Sequence, residues 1–351
     1  MSIPIENIYY LLCYAWKKLD ERDRVAVSAE NFKEMLDLLA KVLINSTRIL
    51  LKRGIDRSYI NVTSEFAGIK GKLELNATLK THLLQKQRTI CSFDEFSSNI
   101  LTNRILFTTL QRLMRTNGLD ITLRNETKSL LWRFSDIEQI ELSNKIFEQI
   151  RLNRNNKFYE FILNVCHLIY ENSLLDEKTG EWQFKDFTRD EQKMNRLFED
   201  FLRNFYAIEQ SEYKVRRENI YWQFSATENQ HLQFLPLMQT DITLENETAK
   251  IVINAKFYRE TLKTNYGSEK INSANLYQIF SYLLNQRKMD DKTRRTAGIL
   301  LYPTIDQEYD LYFQFQDHPI FVKTINLNDN WGSIEKRLKE IITLPLLSTR
   351  Q

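Results

Sequence analysis

The chain has 351 residues, 42% of them apolar, and 49 Lys and Arg against 46 Asp and Glu give it a net charge of +3. A chain this long and apolar can bury a substantial core, and two domains are expected rather than one; its near-balanced charge excludes a basic tail that would hold a polyanion by charge alone. Cys13, Cys91 and Cys166 stand far apart with no CxxC, which excludes a disulfide framework or a zinc site, and the eight glycines form no phosphate-cradling loop.

No apolar run reaches about 18 residues, and Pro4 and Glu6 stand where a signal peptide would be basic and then apolar, so a cytoplasmic protein with no membrane partner is expected. The first predicted element is a helix: Ile8, Leu11, Leu12, Ala15, Trp16 and Leu19 form one apolar stripe after Pro4. A long second helix is expected from Glu30 to Lys52, stopped by Gly54. Segments 59–66 and 70–75 alternate and read as strands paired with each other around Ala67-Gly68-Ile69. Helices are expected near 99–115 and 158–172, and the polar stretch 173–180 is taken as the domain boundary. The division is thus 1–175 and 176–351.

Beyond it the order becomes helix, strands, helix, strands. Met194, Leu197, Phe198, Phe201, Leu202 and Phe205 define an amphipathic helix. Met238 to Leu244 alternates, Glu245-Asn246-Glu247 turns the chain, and IVINAKFY (251–258) returns as the second strand of a hairpin. Asn272-Ser273 caps a helix from Ala274 to about Arg287, and 297–303 is a short buried strand. YDLYFQF and IFVKTINL are further strands before a final helix using Ile334, Leu338, Ile341 and Ile342.

The hairpin carries the chemistry. Period-two geometry sets Asn254 and Lys256 on one face of their strand, and pairing through the turn brings Asp241 to them. With Asp in place of Asn254 the pattern would be that of a PD-(D/E)xK nuclease, in which two carboxylates hold Mg²⁺ and the lysine orients the attacking water and offsets charge building on the phosphate. Gln278 and Tyr282, at i and i+4, can face the same place from the next helix. Glu199, at the rim of the apolar stripe of the helix before Asp241, could add a third acidic ligand.

The ordered blocks IPIENIYYLLCYAW, FAGIKGKLEL, FDEFSSNILTNRIL, MNRLFEDFLRNFY, LPLMQTDI, INAKFY and NLYQIFSYL resemble the McrC family, the nuclease subunits of McrBC modification-dependent (type IV) restriction systems. The resemblance spans about residues 3 to 305. It implies a mixed α+β chain: a helical and β N-terminal region that docks on a McrB-like AAA+ hexamer ring, then a restriction-endonuclease-like, RecB-like α/β nuclease domain. GTP would be bound and hydrolysed by the partner under stimulation from this chain, and the DNA cut would be double-stranded and carry modified cytosine. Carried over by position, the catalytic set is Asp241, Asn254, Lys256, Gln278 and Tyr282, and the Mg²⁺ set is Glu199, Asp241, Asn254 and Ala255.

Asn254 stands where the family has Asp. An amide keeps the shape of the carboxylate and removes one charge, so the expectation is a chain that folds and binds its partner and DNA but cleaves poorly. Either a silencing Asp-to-Asn exchange or natural divergence gives this residue, and the completeness of the surrounding motif favours the first. A non-catalytic subunit that activates the ring and clamps DNA is the competing reading, and a stand-alone RecB-like repair nuclease a third. In the N-terminal region, Arg48, Lys52, Arg53 and Arg57 are candidate cations for reaching into the ring.

Overall fold

A computed structural model describes residues 3–19, 34–225, 229–258, 263–265, 268–285, 295–305 and 308–348. They divide into two compact units, Phe32–Lys185 and the combination of Met1–Asn31 with Asp186–Gln351. This departs from a division at 175 in two places. The first helix, α1 (Ile5–Ala15), belongs with the C-terminal residues, where Asn7 Nδ2 donates to the carbonyls of Leu327 and Asp329, each at 2.8 Å, and the Tyr14 hydroxyl donates to Glu209. At the other end, the polar stretch after 172 is not a linker but the start of a hairpin.

In the unit Phe32–Lys185, α2 (Met35–Arg53) ends at Gly54, whose φ of +90° suits glycine. The N-terminal end of the helix expected from Glu30 lies outside the described residues. Strand β1 (Ser58–Phe66) does not pair with β2 (Lys72–Leu73): after α3 (Leu75–Lys80), β3 (Thr89–Ser97) inserts between them and the order is β1-β3-β2. Gly71 is why β2 can lie so close to β3. A Cβ there would stand 2.6 Å from the Ser92 carbonyl oxygen, and its φ of +69° is again one that favours glycine. Helices α4 (Leu101–Met114), α5 (Ile121–Leu131), α6 (Asn144–Glu148) and α7 (Tyr159–Glu171) follow, with α5 capped by Asp120, which accepts from Thr122 and Leu123 N–H. The buried stripes of α2, α4, α5 and α7 pack on one another. Strands β4 (Ser173–Leu175) and β5 (Trp182–Phe184) form the closing hairpin, which Trp182 ties back to the end of α4 through backbone bonds with Arg115 and Asn117. Arg48 pairs with Glu126 and Arg53 lies over the Phe158 ring, while Lys52 and Arg57 are exposed.

The other unit is built on a six-stranded mixed sheet. Helix α8 (Glu191–Glu209), capped by Asp190, leads to β6 (Lys214–Arg216) and then to the short pair β7 (Asn219–Ile220) and β8 (Met238–Gln239). The expected hairpin is present as β9 (Ile242–Glu245) and β10 (Lys250–Ala255), antiparallel, with Ile251 opposite Leu244 and Ile253 opposite Ile242. After β11 (Lys263–Asn265) and β12 (Ser268–Lys270) come α9 (Ser273–Leu284), capped by Asn272, and β13 (Ala297–Thr304), which lies parallel to β10. Strands β14 (Asp310–Phe315) and β15 (His318–Asn326) and helix α10 (Trp331–Ser348) complete it, in the order β14-β15-β13-β10-β9-β6. Strand β10 is therefore central, and every one of its residues is buried. Val252 shares an apolar cluster with Ile279 of α9, Leu300 and Tyr302, while Phe257, just past β10, packs on Phe198 of α8. No helix among the described residues is long and apolar enough to cross a membrane.

Candidate active site

The site lies at the C-terminal end of β10, where the sheet's hydrogen bonding is handed over to side chains. Three successive N–H groups find three different partners. Ala255 N–H donates to Asp241 Oδ2 at 3.0 Å, Lys256 N–H to the Leu301 carbonyl of β13 at 3.0 Å, and Phe257 N–H to Asn195 Oδ1 of α8 at 2.8 Å. The backbone around Lys256 is thus fixed from the chain before β9, from β13 and from α8.

Asp241 Oδ2 also lies 3.4 Å from Lys256 Nζ, and both side chains are mostly buried, at 12% and 14% exposure. Burial pushes the Asp241 carboxyl up, against the pull of Lys256 and of the Ala255 N–H. Glu199 reaches the same region from α8, where it accepts from Asn195 Nδ2 and lies 3.6 Å from Arg217. Its carboxyl is pushed up by burial and by the charge of Asp241, with Lys256, Asn195 and Arg217 opposing. Burial raises both carboxyls and the charge of Asp241 adds to the effect on Glu199, while Lys256 and Arg217 face the pair as counter-charges.

Asn254 is completely buried. Its Nδ2 donates to Gln278 Oε1 at 2.9 Å, Gln278 Nε2 donates to the Tyr282 hydroxyl at 2.7 Å, and that hydroxyl donates to the Gln239 carbonyl at 2.8 Å. A backbone carbonyl only accepts, so the chain's end dictates its direction and turns the nitrogen of Asn254 toward Gln278. Burial moves the Tyr282 phenol up to about 12, which keeps that proton in place at neutral pH. The Asn254 oxygen has no hydrogen-bond partner among the described residues. A buried, unpaired oxygen costs about 1–3 kcal/mol, and a cation or a water would satisfy it.

The candidate oxygen donors are Glu199, Asp241 and the neutral Asn254 oxygen, hard oxygens of the kind Mg²⁺ takes. They fit the ion in kind and are one charge short of a three-carboxylate site; no group of three or more His, Cys, Asp or Glu able to hold a metal occurs among the described residues. All the residues expected from the sequence, Glu199, Asp241, Asn254, Ala255, Lys256, Gln278 and Tyr282, come together in one unit. Asn195, Arg217 and Gln239 were not expected. For Asn195 the available signal was an amide four residues before a candidate carboxylate inside a helix, a position where Asn needs a partner to be tolerated.

A mixed sheet with helices on it and an Asp, an amide and a Lys gathered at the end of a central strand make a mixed α+β unit with a nuclease-like sheet. Residues 6–303 match the family model described as McrBC 5-methylcytosine restriction system component, and the chain belongs to that family. It is a McrC-like subunit of such a system. It is similar to the Type IV methyl-directed restriction enzyme EcoKMcrBC of Escherichia coli (strain K12), with 32% identity over 339 residues, 97% of each chain. Its fold is like that of a chain in the assembly of Thermococcus gammatolerans McrB AAA+ hexamers with bound McrC, at a TM-score of 0.56 and 16% identity, covering 97% of this chain and 76% of the other. The Thermococcus gammatolerans McrBC complex aligns over 60% of both chains at 20% identity and a TM-score of 0.42.

Proposed function

We propose that the chain is the DNA-cutting subunit of a GTP-dependent restriction complex. It would dock on a McrB-like AAA+ hexamer, stimulate its GTP hydrolysis and cut double-stranded DNA carrying modified cytosine. The similarity to a methyl-directed restriction enzyme and to a fold seen with McrB hexamers supports partner and substrate class. The observation that carries the chemistry is the junction of Asp241 with both Ala255 N–H and Lys256 Nζ at the end of β10.

Glu199, Asp241, the Asn254 oxygen and the Ala255 carbonyl would hold Mg²⁺. Bound there, the ion would polarise the scissile phosphate and lower the pKa of the attacking water. Asp241 fixes the Lys256 ammonium, which orients that water and offsets charge gathering on the phosphate. Gln278 and Tyr282 set the rotation of residue 254. With Asn at that position the cluster lacks one charge, and cleavage by this chain is expected to be poor. The test is cleavage of methylated plasmid DNA by Asn254→Asp with Mg²⁺, GTP and the cognate ring protein. A large gain supports the reading, and no gain removes it.

A second reading is favoured by one observation: the chain from Asn254 to Gln239 is complete with a neutral amide. On it, the subunit activates the ring and clamps DNA without cutting. Asn254→Asp would then bind DNA and raise GTP turnover with no metal-dependent cleavage.

A further inference from the structure

Asn195 lies one turn into α8, on the same side of the helix as Glu199 at i+4. Asn is a poor helix-interior residue, up to about 0.7 kcal/mol less favourable than Ala, because its amide competes for backbone groups. Here the amide is occupied at both ends. Its Oδ1 accepts from Phe257 N–H, the first backbone donor past Lys256, and its Nδ2 donates to Glu199 Oε1. The orientation is fixed by chemistry: Phe257 N–H only donates, so the Asn oxygen must face it and the nitrogen must face the carboxylate. Phe257 is held a second time by its ring, edge-on to Phe198 at 6.1 Å.

We propose that Asn195 is a positioning residue of the cleavage site, a single amide that fixes Glu199 and the strand end carrying Lys256 relative to each other. It touches neither DNA nor metal. It sets where Glu199 stands, as a side chain hydrogen-bonded to a metal-holding carboxylate does elsewhere. This role rests on the metal-dependent reading above and adds to it a residue outside the Asp, Lys and Gln/Tyr set.

The test is titration of the full-length chain with Mn²⁺ by calorimetry, with hydrogen exchange of the Phe257 amide as a second readout. Asn195→Ala is compared with Asn204→Ala, which lies on the same helix and also gives up two hydrogen bonds, from its Nδ2 to the Tyr14 and Ala15 carbonyls, at a distance in sequence from Glu199. Asn195→Ala is expected to weaken Mn²⁺ about tenfold and to speed exchange at Phe257. Asn204→Ala is expected to lower the melting temperature comparably and leave Mn²⁺ affinity unchanged. Equal Mn²⁺ affinity in Asn195→Ala and the unaltered chain overturns the proposal, as does an equal loss in Asn204→Ala. The metal reading itself fails separately: Mn²⁺ binding by neither the unaltered chain nor Asn254→Asp, or binding that survives Asp241→Ala, removes it and the role of Asn195 with it; where only Asn254→Asp binds, the Asn195 comparison is made in that background.

Discussion

One hydrogen bond of 2.9 Å joins Asn254 to Gln278, and the Asn is its donor. A carboxylate at 254 could only accept. In Asn254→Asp, Gln278 must turn its amide to offer Nε2, Tyr282 must then donate to the Gln oxygen, and the Gln239 carbonyl loses the bond it now receives. The substitution is therefore expected to lower metal-free stability by about 1–3 kcal/mol while raising Mg²⁺-dependent cleavage at least about tenfold, equivalent to about 1.4 kcal/mol off the barrier. Melting curves with and without Mg²⁺ check the first part, and Mg²⁺ should restore the lost stability. A variant that is as stable as the unaltered chain without metal contradicts the fixed direction of the chain.

Tyr282→Phe removes the link between Gln278 and Gln239 and changes little else in volume. Half-buried Gln278 and the carbonyl of exposed Gln239 each lose a bond, and a loss of about 0.5–1.5 kcal/mol is expected by chemical denaturation. Because the hydroxyl also holds Gln278 in one orientation, the variant should reduce the cleavage gained by Asn254→Asp. An unaffected denaturation midpoint counts against the connection.

Lys256→Ala in the Asn254→Asp background removes the cation held by Asp241. Loss of a group that stabilises transition-state charge or moves a proton typically costs about 10²–10⁴ in rate. Cleavage should fall by that order while DNA binding, measured by fluorescence anisotropy, stays within about twofold, since one screened contact among many contributes little. Cleavage that persists assigns the role elsewhere.

Gly298 of β13 faces α9 so closely that a Cβ would meet Ile279 Cγ1 at 2.9 Å and Leu283 Cδ1 at 3.0 Å. Gly298→Ala is expected to cost about 1–3 kcal/mol through overpacking. Ile279 neighbours Gln278 and Leu283 neighbours Tyr282, so the same substitution should also impair cleavage by Asn254→Asp. Full stability of Gly298→Ala would show that α9 has room to move.

Away from the site, Asp310 of β14 stands opposite Lys323 of β15 and bonds both its buried ammonium and Arg337 Nη1 of α10. Burial opposes the charge, but Lys323 and Arg337 prevail and hold the carboxyl below its usual range. A lowered folded value means stability present above the unfolded pKa of about 3.9 and lost as pH falls through the folded one. Asp310→Asn should therefore cost on the order of 1–3 kcal/mol at pH 7, discounted from a fully buried pair because the carboxylate is nearly half exposed. The difference between the two chains should shrink below about pH 4. A difference constant across that range would show that the charge contributes nothing.

Local pattern made much of the nuclease-like unit readable. The stripe from Met194 to Phe205 gave α8, and the alternation on either side of Glu245-Asn246-Glu247 gave the β9–β10 hairpin, because both depend on periods a few residues long. The central place of β10 is less readable: its alternation sets Asn254 and Lys256 on one face, but only the fold buries the amide with a partner on α9 and the lysine with one on the chain before β9. Strand β3 is not legible in the local pattern, and the expected pairing of β1 with β2 fails, since a short connection favours the close partner and nothing local announces the tight approach at Gly71. The grouping of α1 with residues beyond 186 depends on bonds across more than 300 positions, such as Asn7 to Leu327. In the site, Glu199 was legible from its place on the helix rim and Asn195 was not, because its meaning depends on a backbone N–H 62 residues away.

The handing over of three adjacent amides to three separate parts of the chain bears on how this site can be moved or redesigned. A graft of the β9–β10 hairpin into another protein would carry Asp241, Asn254 and Lys256 in sequence but would leave behind the Leu301 carbonyl and the Asn195 amide that hold the lysine's backbone. A working transplant must include everything from α8 to β13. Chimaeras between relatives should accordingly fail at junctions drawn between Asp190 and Thr304.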